Sequence, residues 1–270
     1  MIIDTHAHMC DPCFDSDRRE VLDRAREAGV QRVICVGESL ADAHKNLVMA
    51  RQCPQLLPAA GLYPGHLDRQ EAEALLGLIR RERDRLVAVG EVGLDHWIVK
   101  APPGDEAAEG AEAAGSGRDD PRELQRELFV RFVDLAVELD LPLNVHSRAA
   151  GRDTIAVLLE RGAHRVQMHA FDGKASTARP AVEAGYYFSV PPSVLRSRQK
   201  QRLLVHLPLD CLLIESDSPV LGPEAGQRNE PANVRLVLQA IADTKDLPLE
   251  RVTEAVTANT ERLYRLAGGA

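Results

Sequence analysis

Asp4-Thr5-His6-Ala7-His8 ends a short β-like run at the start of the chain. Strand side chains alternate between faces, so His6 and His8 point to the same side. Two imidazoles at that spacing bind one divalent cation through neutral ring nitrogens. Four further side chains of the same chemistry each end another apolar run. Glu91 lies in Val89-Gly90-Glu91-Val92-Gly93-Leu94-Asp95, His146 in Leu143-Asn144-Val145-His146-Ser147-Arg148, His169 in Val166-Gln167-Met168-His169, and Asp217 in Glu215-Ser216-Asp217-Ser218-Pro219. Taken singly, each histidine reads as a hydrogen-bonded core residue and Glu91 as a solvated loop residue. Their shared position is what speaks for a site, because unrelated core histidines have no reason to choose one end of their strands. Four imidazoles and two carboxylates exceed the needs of one tetrahedral zinc. They suit two metal ions about 3.5–4 Å apart with a carboxylate between them.

The elements that would position these groups alternate along the chain. β-like runs fall at Met1–His6, Arg32–Val36, Leu56–Leu62, Leu86–Val92, Leu143–His146, Arg165–His169, Tyr186–Val190 and Cys211–Glu215. Helical patterns separate them. Asp15–Ala28 carries Val21, Leu22, Ala25 and Ala28 on one face, and Glu123–Leu139 repeats Leu124, Leu128, Phe132, Leu135 and Leu139. That spacing is the stripe of an amphipathic helix. Gly29, Gly162 and Gly185 stand where such helices should stop. Leu141 precedes Pro142, so the helix before it should end near Asp140. Eight strands with helical crossovers predict a parallel sheet closed into a (β/α)8 TIM barrel, whose strand ends converge on one mouth. An open doubly wound sheet is the competing fold, and it more often shows a Gly-rich loop after its first strand, absent here. The reading is a single domain over residues 1–270. Ile98–Pro121, rich in Gly, Ala, Glu and Pro, interrupts it as a flexible insertion, either a tolerated surface loop or a lid.

Composition narrows the functional classes. The chain has 270 residues, 44% apolar and 27% charged, which is enough for a sizeable core. Aromatics make up 4%, so Leu, Val, Ala and Ile must build that core. No apolar run is long enough to span a membrane, and Met1-Ile2-Ile3 leads straight into polar residues without a basic leader. Five cysteines do not make a disulfide framework in a chain of this length, so a reduced, cytoplasmic protein is expected. The formal net charge of −8 argues against a broad basic surface that wraps duplex nucleic acid. It leaves room for a small phosphate site, where bound metal supplies the positive charge.

DTHAH, GEVGLD, NVHSR, HAFDG and ESDSP, in that order, resemble the TatD-like metal-dependent hydrolases of the amidohydrolase superfamily. The resemblance runs from Met1 to the terminal helices. NVHSRAAGR, HAFDGK, PPSV with RSRQKQ, and RNEP are similar to a subgroup that includes a eukaryotic TatD-domain deoxyribonuclease. It implies that His6 and His8 hold a first metal, that His146 and His169 hold a second, and that Glu91 ligates or bridges. It implies that Asp217 is the final ligand and the general base, so Glu91 and Asp217 are the catalytic carboxylates. Two departures stand out. Leu62-Tyr63-Pro64-Gly65-His66 replaces the His-Pro that many members carry after the third strand, which leaves His66 as a candidate substitute. Asp172 stands in His169-Ala170-Phe171-Asp172-Gly173 where members commonly have serine, adding a carboxylate near the second metal.

Other groups surround this set. Asp95, Asp4 and Glu215 are candidates to orient ligand histidines, since ligating imidazoles usually donate their other N–H to a carboxylate or carbonyl. Arg148, Arg152 and Lys174 follow ligand positions closely and are the candidate phosphate-binding cations. The basic run Arg196–Arg202 reads mainly as a solvated helix face, with only its first turn able to attract an anion. Cys10-Asp11-Pro12-Cys13 reads as ordinary loop sequence, with a redox pair or a second zinc site as the sharper alternative.

The expected function is a divalent-metal-dependent hydrolase, a phosphodiesterase or deoxyribonuclease acting on DNA with two ions drawn from Zn, Mn, Mg, Fe or Ni. Hydrolysis of a carbon ester, lactone or amide at the same site is the alternative, since fold does not decide substrate. A non-catalytic metal-binding barrel would not need the whole donor set. A Schiff-base aldolase is disfavoured, because Lys45, Lys100, Lys174, Lys200 and Lys245 all fall outside the expected strands. Neither a membrane nor an obligate protein partner is expected.

Overall fold

A computed structural model describes residues 1–100 and 120–266. Eight parallel strands form one sheet in sequential order. They are β1 (Ile2–Ala7), β2 (Val30–Cys35), β3 (Leu56–Ala60), β4 (Ala88–Gly93), β5 (Leu143–His146), β6 (Val166–Met168), β7 (Tyr187–Val190) and β8 (Leu212–Ile214). The helices that follow them are α1 (Arg18–Glu27), α2 (Leu40–Gln52), α3 (Arg69–Glu82), α4 (Pro121–Leu139), α5 (Gly151–Glu160), α6 (Ala175–Glu183), α7 (Arg198–His206), α8 (Val234–Lys245) and α9 (Leu249–Tyr264). The first strand meets the segment after the last through a parallel bridge between Ala7 and Ser218. The Asp217 N–H donates to the His6 carbonyl and the His8 N–H to the Ser218 carbonyl, both at 2.8 Å. This seam brings the sheet to near closure and rules out the open doubly wound alternative.

Helix boundaries follow local chemistry. α4 begins where Pro121 fills the first helical position and the Asp120 carboxylate accepts the Arg122 N–H. It ends at Asp140, which turns left-handed at φ 53° just before Leu141 and Pro142. Leu128, Phe129, Phe132, Val133, Leu135 and Ala136 are buried along one side of α4, which lies on β4. Leu124 and Leu139, the ends of the expected stripe, pack only partly into the core. α1 starts later than the expected Asp15, because Pro12–Phe14 form a separate 3-10 turn first. Several strands are shorter than their apolar runs. β3 stops at Ala60, β6 at Met168 and β8 at Ile214, so His169 and Glu215 lie just past the ladder. The expected insertion at 98–121 begins with the described residues 98–100, and its 101–119 stretch lies outside the described residues.

The inside of the barrel is unusual for its polarity. Thr5, Asn144, Gln167, Ser189 and Glu215 are all buried there among Ile34, Ala59, Ala88 and Leu213. Tyr264, at the end of α9, belongs to the same cluster and reaches this column. The Tyr264 hydroxyl donates to Gln167 Oε1 at 2.5 Å and accepts from Asn144 Nδ2 at 3.2 Å. Asn144 Nδ2 also donates to the Thr5 carbonyl at 2.9 Å. A satisfied interior network of this kind fixes side-chain orientation as well as position.

The apolar shell between sheet and helices should carry stability independently of the mouth. Phe132 is 1% exposed, and Phe132→Ala should lower unfolding free energy by about 3–5 kcal/mol in urea titration. Metal stoichiometry of the folded fraction should stay the same; loss of both together would place α4 inside the site's own machinery.

Candidate metal centre

His6, His8, Glu91, His146, His169 and Asp217 converge at the barrel mouth. They form two donor groups, His6–His8–Asp217 and His146–His169–Glu91, each with ligand atoms within 4.8 Å of one another. The two carboxyl oxygens of Glu91 face different groups. Oε2 is 3.4 Å from His8 Nε2 and 3.8 Å from His6 Nε2. Oε1 is 2.5 Å from His146 Nδ1 and 3.3 Å from His169 Nε2. Asp217 Oδ1 closes the first group at 3.4 Å from His6 Nε2 and 3.6 Å from His8 Nε2. The His6 and His169 rings stack at 3.8 Å, holding the two groups side by side.

The backbone presents these groups at irregular points of the sheet. The pairing of β1 with β2 shifts register between Asp4 and Ala7, and that of β4 with β5 shifts between Val89 and Val92. Such irregularities re-aim side chains at a barrel rim. Gly93, at φ 153°, lies so close to β5 that an added Cβ would stand 2.0 Å from the His146 carbonyl oxygen. Only glycine lets β4 and β5 bring Glu91 and His146 together.

Three of the four imidazoles have one nitrogen pinned and the other turned to the mouth. Both Asn144 Nδ2 hydrogens are committed to Thr5 and Tyr264, so Asn144 Oδ1 accepts, and His6 Nδ1–H donates to it at 2.8 Å. His6 Nε2 is therefore left with its lone pair outward. His169 Nδ1–H donates to Glu215 Oε2 at 3.3 Å. His146 Nε2–H donates to Asp95 Oδ2 at 2.9 Å, which leaves Nδ1 facing Glu91. Neutral imidazoles oriented by oxygen acceptors are what a divalent ion requires of its histidines. The donor set thus fits divalent metal on its chemistry.

Of the three expected orienting carboxylates, Asp95 and Glu215 contact rings and Asp4 does not. Asp4 Oδ1 accepts the Ser216 N–H at 2.8 Å and the His6 N–H at 3.2 Å, stitching the β1–β8 seam through the backbone. Burial raises its pKa to about 8. Glu215 also accepts the Ala170 N–H at 2.8 Å and the Ser189 hydroxyl at 2.6 Å.

The cationic candidates lie further out. Arg152 and Lys174 are exposed, in the first turn of α5 and at the N-terminal boundary of α6. The Arg148 guanidinium lies over the Trp97 ring at 3.9 Å instead of standing free at the mouth. Lys200 is a cation that sequence alone does not single out, since the basic run around it reads as a solvated face. Its Nζ turns inward and donates to the Ala170 carbonyl at 2.7 Å, next to His169. Burial lowers its pKa despite the opposing charges of Glu215, Asp172 and Asp217. Ala170, left-handed at φ 42°, is thereby held from both sides by Lys200 and Glu215.

Other expectations resolve simply. Asp172 is exposed and accepts the Ala149 N–H at 3.1 Å, so it fastens a neighbouring turn. His66 is exposed, with Nδ1 3.1 Å from the Glu38 carbonyl, while Tyr63 takes the inner place and donates to Asp95 Oδ2 at 3.3 Å. Glu38, after β2, was missed although it obeys the same strand-end rule; it forms a further donor group with His8 and Glu91. Cys10 and Cys13 are both free; Cys10 is buried, with Sγ 3.5 Å from the Val36 carbonyl, Cys13 is exposed, and burial raises both thiols, Cys13 to about 11.

Charge in the centre is mutually compensated. Burial would raise the pKa of Glu91, but the charges of His146 and His169 hold it well below the ordinary carboxylate range. Burial disfavours the His8 cation, but hydrogen bonding to Asp217 and the charges of Glu91, Asp217 and Glu38 raise it to about 9. His146 and His169 are raised in the same way against their burial, chiefly by Glu91 and by Glu215 respectively. A divalent cation brings the positive charge that those protons otherwise bring, so the two compete.

Metal binding should therefore release protons. Zn²⁺ titration of chelator-treated protein in buffers of different ionisation enthalpy should show net proton release near neutral pH, and affinity should rise with pH and level off above about 9, where His8 loses its proton. Affinity independent of pH between 6 and 9 would contradict these couplings. Asn144→Ala removes the acceptor that sets the His6 tautomer and should weaken metal affinity by about 10- to 100-fold.

Comparison with known proteins agrees with this architecture. The family described as TatD related DNase matches residues 3–265. The deoxyribonuclease TATDN3 of Homo sapiens is 39% identical over 97% of this chain and 94% of its own length. YabD of Bacillus subtilis, an uncharacterized metal-dependent hydrolase, is 31% identical over 98% of this chain and 100% of its own. The crystal structure of YjjV, a TatD homolog from Escherichia coli, superposes with a TM-score of 0.85 at 28% identity, covering 98% of both chains. With the family matched over nearly its whole length and the barrel shared with a solved member, the chain belongs to the TatD family of metal-dependent hydrolases.

Proposed function

We propose that this protein is a two-metal phosphodiesterase that cleaves DNA. The observation that carries the reading is the division of Glu91, one oxygen toward His6 and His8 and the other toward His146 and His169. His6, His8 and Asp217 would hold one divalent ion, His146 and His169 a second, and Glu91 would serve both. Such ions supply Lewis acidity, which acidifies water and polarises a phosphoryl oxygen.

The chain's own groups do the rest. Asp217 takes or relays the proton from the attacking water, as a general base must lie within hydrogen-bond reach of it. Burial would raise the Asp217 pKa, but the charge of His169 and the hydrogen bond from His8 keep it well below the usual range, so it is ionised at neutral pH. Asp95, Asn144 and Glu215 hold the imidazole rings in the orientation that binds metal. Lys200 fixes the turn after His169, while Arg152 and Lys174 stand at the rim to meet phosphates. The relationship to a human deoxyribonuclease at 39% identity supports a phosphodiester substrate. A formal charge of −8 favours local capture of phosphates at the mouth over wrapping of a duplex.

The whole site is carried by one barrel domain, and the insertion at 98–121 follows β4 and runs into Pro121, the first residue of α4. Five free cysteines are in keeping with a reducing compartment such as the cytoplasm. Among the described residues no helix is long and apolar enough to cross a membrane.

Metal analysis of gently purified protein should find close to two divalent ions per chain; saturation at one would overturn the paired arrangement. Short single-stranded DNA with Mn²⁺ or Mg²⁺ should be cut to nucleotides, and Asp217→Asn should lower kcat by about 10²- to 10⁴-fold. Turnover of a carbon ester or lactone with DNA left intact would overturn the phosphodiesterase reading.

A further inference from the structure

Trp97 is the only tryptophan in the chain, and it is 60% exposed beside the metal centre. Its position is fixed from below. Asp95 Oδ1 accepts the Trp97 and Ile98 N–H groups, both at 2.9 Å, while Asp95 Oδ2 holds His146 Nε2. The neighbouring turn carries Arg148, two residues beyond His146, so no more than about 7 Å of backbone separates it from that imidazole. The His96 N–H donates to the Arg148 carbonyl at 3.0 Å, joining the two turns. The Arg148 guanidinium then lies over the indole at 3.9 Å.

We infer that Trp97 and Arg148 form a stacking platform for one unpaired nucleobase, seated beside the centre whose ions meet the adjacent phosphate. The inference deepens the phosphodiesterase reading and rests on it. Indole and guanidinium are the two planar groups on which unstacked bases settle, and both stand here in contact with each other. One face of each is taken by the other, and the exposure of Trp97 leaves it open to a third flat group. Arg148 adds a positive charge where an acidic protein has few to offer a polyanion. A base within a duplex is stacked on both sides and cannot reach such a platform, so the arrangement selects single-stranded DNA or a frayed end. It reads no base edge, because every base has a π-face, and so it is tolerant of sequence. Arg148 thus acts on the base more than on the phosphate expected of it from sequence.

The lone indole makes the test direct. Fluorescence of the metal-loaded protein is followed as a thymidine octamer with phosphorothioate linkages, which slow cleavage, is added. The same titration uses an octamer of abasic residues with identical linkages. Quenching by the thymidine octamer alone supports the platform; equal quenching by both, or none by either, overturns it. Cleavage of the unmodified octamers gives the second readout. Trp97→Ala should lower the ratio of kcat/KM for the thymidine octamer over the abasic one by about 5- to 150-fold, mostly through KM, and Trp97→Phe should restore part of it. A ratio unchanged by Trp97→Ala overturns the proposal. Selective quenching without cleavage of either octamer would instead keep the platform and remove the phosphodiesterase reading.

Discussion

A buried carboxylate that must face two ways is the constraint around which this barrel is organised. Glu91 is 2% exposed, and an isolated carboxylate at that depth would be strongly unfavourable. The imidazoles on either side make it tolerable, and they in turn need its charge. The packing leaves it little freedom. A Cβ on Gly61 would stand 2.4 Å from the Glu91 carbonyl oxygen, and one on Gly90 would stand 2.6 Å from Asn144 Cβ. Glycines therefore flank the carboxylate in space because neighbouring backbone occupies the volume a side chain would use.

The polar interior serves this arrangement. A barrel filled only with branched apolar residues packs well but has no means of choosing which nitrogen of a histidine carries the proton. Here Asn144, Gln167, Ser189 and Glu215 convert the inside of the barrel into a directional network. Each amide and hydroxyl in it has its donor and acceptor roles settled by the next, from Tyr264 upward to His6 and His169. Stability resides largely in the outer apolar shell, and tautomer choice resides in the inner column.

Strand alternation and strand-end position made His6, His8, Glu91, His146, His169 and Asp217 legible in the sequence, because both follow from local geometry that every parallel barrel shares. Helix ends at Gly29, Gly162 and Asp140 were legible for the same reason, each adopting positive φ. What stayed hidden depends on where long side chains turn after the backbone is placed. Lys200 sits in a run of charges whose solvent exposure is the ordinary outcome, and only the fold shows its ammonium folding back to Ala170. Asn144 lies one turn of the pleat below His146 and looks like any buried strand residue until His6 arrives from the far end of the chain. Glu38 is legible in principle but easily overlooked, since it stands past Val36 and Gly37, beyond the end of its strand at Cys35. Asp4 was assigned to the right neighbourhood and the wrong partner, because spacing alone does not separate a ring N–H from a backbone one.

The seam between β1 and the segment after β8 has a bearing on how the protein is made. His6 and His8 leave the ribosome long before Asp217, and Tyr264, beneath them, follows later still. Until translation has passed Asp217 and Tyr264, the early histidines have neither their carboxylate nor the acceptor chain that orients their rings. The donor set is consequently complete only once Tyr264 has emerged, and a shorter nascent polypeptide has no assembled centre with which to capture ions.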